Sequence, residues 1–70
     1  MSDHTFAITH LVGTSTESVD QAIRNGIKTA GQSLRNMDWF EVEEIRGSLN
    51  HSDTVQEYQV TIKLGFRHDG

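Results

Sequence analysis

Val55-Gln56-Glu57-Tyr58-Gln59-Val60-Thr61-Ile62-Lys63-Leu64-Gly65-Phe66-Arg67 alternates with almost no fault. Tyr58, Val60, Ile62, Leu64 and Phe66 fall on one side. Gln59, Thr61, Lys63, Gly65 and Arg67 fall on the other. Successive strand side chains point to opposite faces, so this period of two predicts a strand with one face in a core. Asn50-His51-Ser52-Asp53, just upstream, supplies turn residues. Before the turn, Trp39 to Leu49 reads as a second strand whose parity slips. Phe40 and Val42 are even-numbered, whereas Ile45 and Leu49 are odd-numbered. One extra residue near Glu43-Glu44 returns all four to one face, which is what a β-bulge does. The two strands form an antiparallel hairpin.

Keeping apolar partners together sets the hairpin register. Val42 pairs with Ile62 and Phe40 with Leu64 before the bulge; Ile45 pairs with Val60 after it. The outer face then sets Trp39 opposite Gly65, Glu41 opposite Lys63, and Arg46 opposite Gln59.

Working outward, Val19, Ala22, Ile23, Gly26, Ile27, Ala30, Leu34 and Met37 recur at three- and four-residue steps and predict an amphipathic helix. Asp20, Arg24, Lys28, Gln32 and Arg35 lie away from that stripe. Gly26 and two alanines in the stripe permit close approach to a sheet. Ser15 and Ser18 are both candidate N-caps, and Gln21 fits a capping box with Ser18. Thr5 to Val12 reads as the first strand. Phe6, Ile8, His10 and Val12 share one face; Thr5, Ala7, Thr9 and Leu11 share the other. Gly13-Thr14-Ser15-Thr16 reads as turn and cap. The order is β-α-β-β, and such a crossover returns parallel to its first strand without having to lie beside it. The expectation is an α+β fold: a three-stranded antiparallel sheet around one amphipathic helix, with residues 1–70 as a single domain. The outer sheet face is expected to be polar apart from Trp39 and a few small residues.

Trp39 is therefore out of place. It shares its face with Glu41 and Glu43, while Phe40 and Val42 take the core side. A second subunit or a flat ligand would cover it. Trp and Arg are enriched at subunit interfaces, and ligand sites often form between subunits, so the two readings can coexist. Around Trp39, Gly65 leaves space, Gln59 offers both a donor and an acceptor, and Arg46 offers a cationic fork. An aromatic heterocycle with imide-like edges suits this set. Base–aromatic stacking contributes about 1–3 kcal/mol per ring.

Composition agrees with association. A 70-residue chain buries only roughly 60% of its unfolded surface and is marginal alone. There is no cysteine, which excludes disulfides and thiolate zinc sites. Six Lys+Arg against ten Asp+Glu, a net charge of −4, argue against a general nucleic-acid or anionic-membrane binder. No apolar run approaches the roughly 20 residues of a membrane helix. Met1-Ser2-Asp3-His4 lacks the basic and apolar regions of a signal peptide, so the cytoplasm is the expected location. His4, His10, His51 and His68 have no metal-ligand spacing, and no metal site is expected. No nucleophile has an obvious base partner, so no enzyme activity is expected.

Leu11-Val12-Gly13-Thr14-Ser15, Asp38-Trp39-Phe40-Glu41-Val42, Ile45-Arg46-Gly47, and Tyr58-Gln59-Val60 leading to Gly65-Phe66-Arg67 resemble the dodecins, small flavin-binding proteins. The resemblance covers nearly the whole chain in order and spacing. It implies a hollow homododecamer that stores or sequesters flavin, FMN or riboflavin, in stacked pairs between subunits. On that pattern Trp39 stacks on the flavin, Gln59 hydrogen-bonds its edge and Arg46 lies nearby. Relatives of this kind also bind coenzyme A at a separate surface, where Arg67 and Lys28 would be contacts. His10 departs from the pattern, standing where the family commonly has an acidic residue. The competing expectation is an oligomeric shell in which Trp39 serves assembly only, with coenzyme A or no ligand.

Overall fold

The computed structural model describes residues 3–68. Its elements are β1 (Thr5–Ser15), α1 (Val19–Ala30), β2 (Met37–Leu49) and β3 (Val55–His68). β3 is the central strand of a three-stranded sheet ordered β1-β3-β2, and it runs antiparallel to both neighbours. The crossover through α1 thus returns β2 parallel to β1 with β3 between them. The unbroken alternation of β3 suits its central place, since it must present one face to the helix and pair along both edges. Val60, Ile62 and Leu64 are its buried side chains, packed with Ala22 and Ala30 of α1.

The hairpin register is the one that parity predicts. Val42 pairs with Ile62, Phe40 with Leu64, Trp39 with Gly65, Glu41 with Lys63, Ile45 with Val60 and Arg46 with Gln59. The bulge falls between Val42 and Glu44. The turn closes through Asn50, whose side-chain oxygen accepts from the Ser52 backbone N–H (2.9 Å) and the Thr54 hydroxyl (2.9 Å). Asp53 takes φ 60° there, a left-handed conformation that aspartate tolerates.

Three expectations need correction. First, β1 does not end at Val12. Gly13, Thr14 and Ser15 continue the ladder opposite Val60, Gln59 and Tyr58. Gly13 is in the strand because α1 crosses it closely. A Cβ there would stand 2.1 Å from the Ala22 carbonyl oxygen, and one on Gly26 would meet Leu11 Cδ1 at 2.9 Å. Second, the helix stops at Ala30, well before Met37. Gly31 caps it and donates its N–H to the Ile27 carbonyl (2.9 Å). The chain then turns through Asn36 at φ 62°. Leu34 and Met37 still pack on the core, so the apolar stripe outlasts the helix.

The third correction concerns the faces. The outer face is not polar apart from Trp39. β1 pairs Ile8 with Gly65 and Val12 with Thr61, which puts Phe6, Ile8 and Val12 on the outer face, all exposed. The inner side of β1 instead uses Leu11 and Gly13 against the helix. Conversely, Phe40, Ile45 and Leu49 occupy the helix-side face but are 48%, 56% and 67% exposed. The helix packs chiefly across β1 and β3 and leaves most of β2 uncovered, apart from Met37 and Val42. Each side of the sheet therefore carries apolar side chains that the subunit itself does not cover.

Both serines at the helix entrance are used. Ser18 is the N-cap and accepts from the Gln21 N–H (3.0 Å). Ser15 Oγ accepts from the Glu17 N–H (2.9 Å) and less closely from Ser18. Ser18→Ala is expected to cost about 1 kcal/mol, read as a lower denaturation midpoint with unchanged far-UV circular dichroism.

Candidate functional site

The register arranges the outer face in rows that cross β1, β3 and β2 in turn. One row is Ile8–Gly65–Trp39, the next His10–Lys63–Glu41, then Val12–Thr61–Glu44, and last Thr14–Gln59–Arg46. The pleat places these side chains on one face, and the bulge keeps Arg46 there although it is seven residues after Trp39.

Trp39 does not stand off from Gly65. A Cβ on Gly65 would lie 2.0 Å from Trp39 Cε2, 2.3 Å from Cζ2 and 2.6 Å from Cδ2. The indole thus lies across the glycine, and the space expected beside Trp39 holds its own ring. Gly65 is buried as a result, while Trp39 stays 38% exposed. One ring face rests on the backbone and the other is open, which makes a platform. Only a residue without a side chain permits it.

Gln59 and Arg46 form a second cluster. Gln59 Oε1 accepts from Arg46 Nε (3.1 Å), and Gln59 Nε2 donates to Glu57 Oε1 (3.0 Å). Arg46 Nη1 also lies 3.6 Å from Glu44 Oε1. These bonds orient the Gln59 amide and leave it one N–H and one oxygen lone pair for an imide edge. Between the two clusters lies a charged zone. Lys63 Nζ is 3.1 Å from Glu41 Oε1, and His10 Nδ1 is 2.6 Å from Glu43 Oε1. The latter pair reaches over β3 from one edge strand to the other.

The structure does not bring all the expected residues together in one subunit. Gly65 and Gln59 are six positions apart on β3, about 20 Å at the usual rise per residue. The two clusters are thus separate on the surface of one subunit. Arg67 and Lys28 are also separated. Arg67 shares the outer face beside Phe6, and Lys28 is an exposed residue of the helix on the opposite side of the sheet. A cavity of about 380 Å³ between β1 and α1, lined by Thr9, Thr14, Asn25, Thr29 and Ser33 among others, contains none of these residues. Trp39 borders a smaller, shallow hollow of about 190 Å³ with Ile27, Met37, Asp38, Phe40 and Leu64.

Strand parity puts Trp39, Gly65, Gln59 and Arg46 on one face, and the structure adds Ile8 to it. The signal was present in Phe6, Ile8 and Val12, but nothing in their spacing says which side of the sheet the helix takes.

A small α+β subunit with uncovered apolar surface on both sides of its sheet, and an indole laid flat on one of them, has the surface of a protein that associates. The family model described as Dodecin matches residues 5–69, and the chain belongs to the dodecin family. Dodecin of Thermus thermophilus is 49% identical over 57 residues, 81% of either chain. The solved dodecin from Streptomyces davaonensis is 58% identical, with a TM-score of 0.93 over 99% of this chain and 100% of that one. Dodecin from Streptomyces coelicolor is 48% identical, with a TM-score of 0.94 over 100% and 99%.

Proposed function

We propose that this protein binds flavin, FMN or riboflavin, between subunits of a homododecamer and stores it without turnover. The observation that carries the reading is the Trp39 indole held flat across Gly65 with one face open. Family membership supports it. In this reading Trp39 stacks on the isoalloxazine, Gln59 bonds the imide edge, and Arg46 fixes the Gln59 amide in the required orientation. The roughly 20 Å between the two clusters means that Trp39 and Gln59 reach one flavin from different copies. An excited flavin stacked on tryptophan is quenched by fast electron transfer, which protects the stored ligand from its own photochemistry.

Self-association has its own support. Phe6, Ile8, Val12 and Trp39 are exposed on one side of the sheet, and Phe40, Ile45 and Leu49 on the other. One neighbour cannot cover both sides. A shell satisfies both, and the closed dodecamer is the form the family reading carries. A coenzyme A site built from both Lys28 and Arg67 would likewise draw them from different copies.

The test is a titration of the flavin-free protein into FMN and riboflavin, followed by flavin fluorescence. Saturable, near-complete quenching at a fixed flavin-to-subunit ratio is expected. Unquenched fluorescence on mixing would leave the assembly-only reading, in which Trp39 packs against another subunit.

A further inference from the structure

We propose that Ile8 is a second part of the flavin floor, carrying the portion of the ring system that the indole does not. The inference rests on the flavin reading above and extends it to a strand that reading does not use. Ile8, Gly65 and Trp39 form one row across the sheet. The indole leans over Gly65, with its ring-fusion atoms Cδ2 and Cε2 and the adjacent Cζ2 nearest the glycine. The ring therefore reaches from β2 onto β3, toward β1. Ile8 stands one strand spacing further on, about 4.8 Å. It is half exposed although it is a large aliphatic side chain.

The fit is one of size. An indole has two fused rings and an isoalloxazine three, so a flavin stacked on Trp39 overhangs it. The overhang toward β1 meets the Ile8 side chain, which rises from the sheet beside the flat indole. On one flank of the row the His10–Lys63–Glu41 charges bound this apolar strip, and on the other Arg67 stands beside Phe6. A ligand that follows the apolar direction lies along the row. The contact is to the ring system and not to the ribityl chain, and that distinction makes it testable.

The experiment compares the full-length wild type with Ile8→Ala and Ile8→Leu by fluorescence titration against FMN, lumichrome and lumazine. Lumichrome is the three-ring system without the ribityl chain, and lumazine has two rings. Light scattering reports the oligomeric state in parallel. Ile8→Ala is expected to weaken FMN and lumichrome on the order of 10-fold, the scale of lost aliphatic contact in a binding site. It should leave lumazine unchanged, and Ile8→Leu should bind all three as the wild type does. Unchanged FMN affinity in Ile8→Ala would overturn the inference while the flavin reading stands. So would an equal loss for lumazine, or a loss seen only with dissociation of the oligomer, since either makes Ile8 a general or assembly contact. Failure of the wild type itself to quench flavin would instead remove the reading on which the inference rests.

Discussion

Replacing Trp39 by alanine is expected to remove most flavin quenching and to weaken flavin binding roughly 5- to 150-fold, the range that about 1–3 kcal/mol of ring stacking corresponds to. The fold itself should survive. Trp39 lies outside the buried cluster of Ala22, Ala30, Val60, Ile62 and Leu64, and its ring rests on the outer surface of β3. Far-UV circular dichroism should be unchanged. Trp39→Phe is the informative companion, because it keeps a smaller aromatic platform and should recover part of the affinity. Light scattering separates the two roles open to the residue. A Trp39→Ala protein that keeps its oligomer and loses flavin supports the platform. One that loses its oligomer, in a protein that never bound flavin, supports assembly alone.

The second large effect is expected far from that platform. Gly13→Ala should destabilise the subunit by about 3 kcal/mol or more, at or beyond the upper end for overpacking a tight contact. Its Cβ would sit 2.1 Å from the Ala22 carbonyl oxygen and 3.1 Å from the Gly26 backbone nitrogen. Both obstacles are helix backbone, so no rotamer change relieves them. The helix would have to lift from β1. That movement would open the cluster around Ala22, which is fully buried. The expected readout is a large fall in denaturation midpoint or loss of soluble protein. A midpoint within a degree or two of the wild type would show that the helix can move at little cost. Gly31→Ala makes a useful control, because the contact there is the flexible end of Met37 at 3.2 Å and the change removes a poor helix former.

The parts of the fold legible in the sequence were those fixed by strand parity. β3 packs one face on the helix and pairs along both edges, so its alternation runs unbroken from Tyr58 to Arg67, and β2 could be aligned to it there by its apolar residues alone. The slip between Val42 and Ile45 then required the bulge. β1 was harder because both of its faces carry apolar residues. What decides its orientation is the glycine contact between Gly13 and α1, and a glycine adds nothing to a hydrophobic pattern. The same ambiguity hid the exposed Phe6, Ile8 and Val12. The end of the helix was masked by Leu34 and Met37, which continue the apolar spacing by packing on the core from the connection after the helix and from the start of β2. At the site, parity gave the right rows but not the height of a side chain. It could pair Trp39 with Gly65, but not show that the indole fills the space above the glycine.

The distance between the two clusters on β3 has a consequence for storage. On the proposed reading, a lone subunit offers only half of each contact set, so ligand and assembly are thermodynamically linked. Whatever binds only the assembled form stabilises it by mass action. Flavin then acts as a cohesive agent among the subunits. Abundant ligand consolidates the shells, whereas scarcity withdraws that support and eases their release of what remains. Such a protein would measure flavin supply through its own state of aggregation, with no separate sensor.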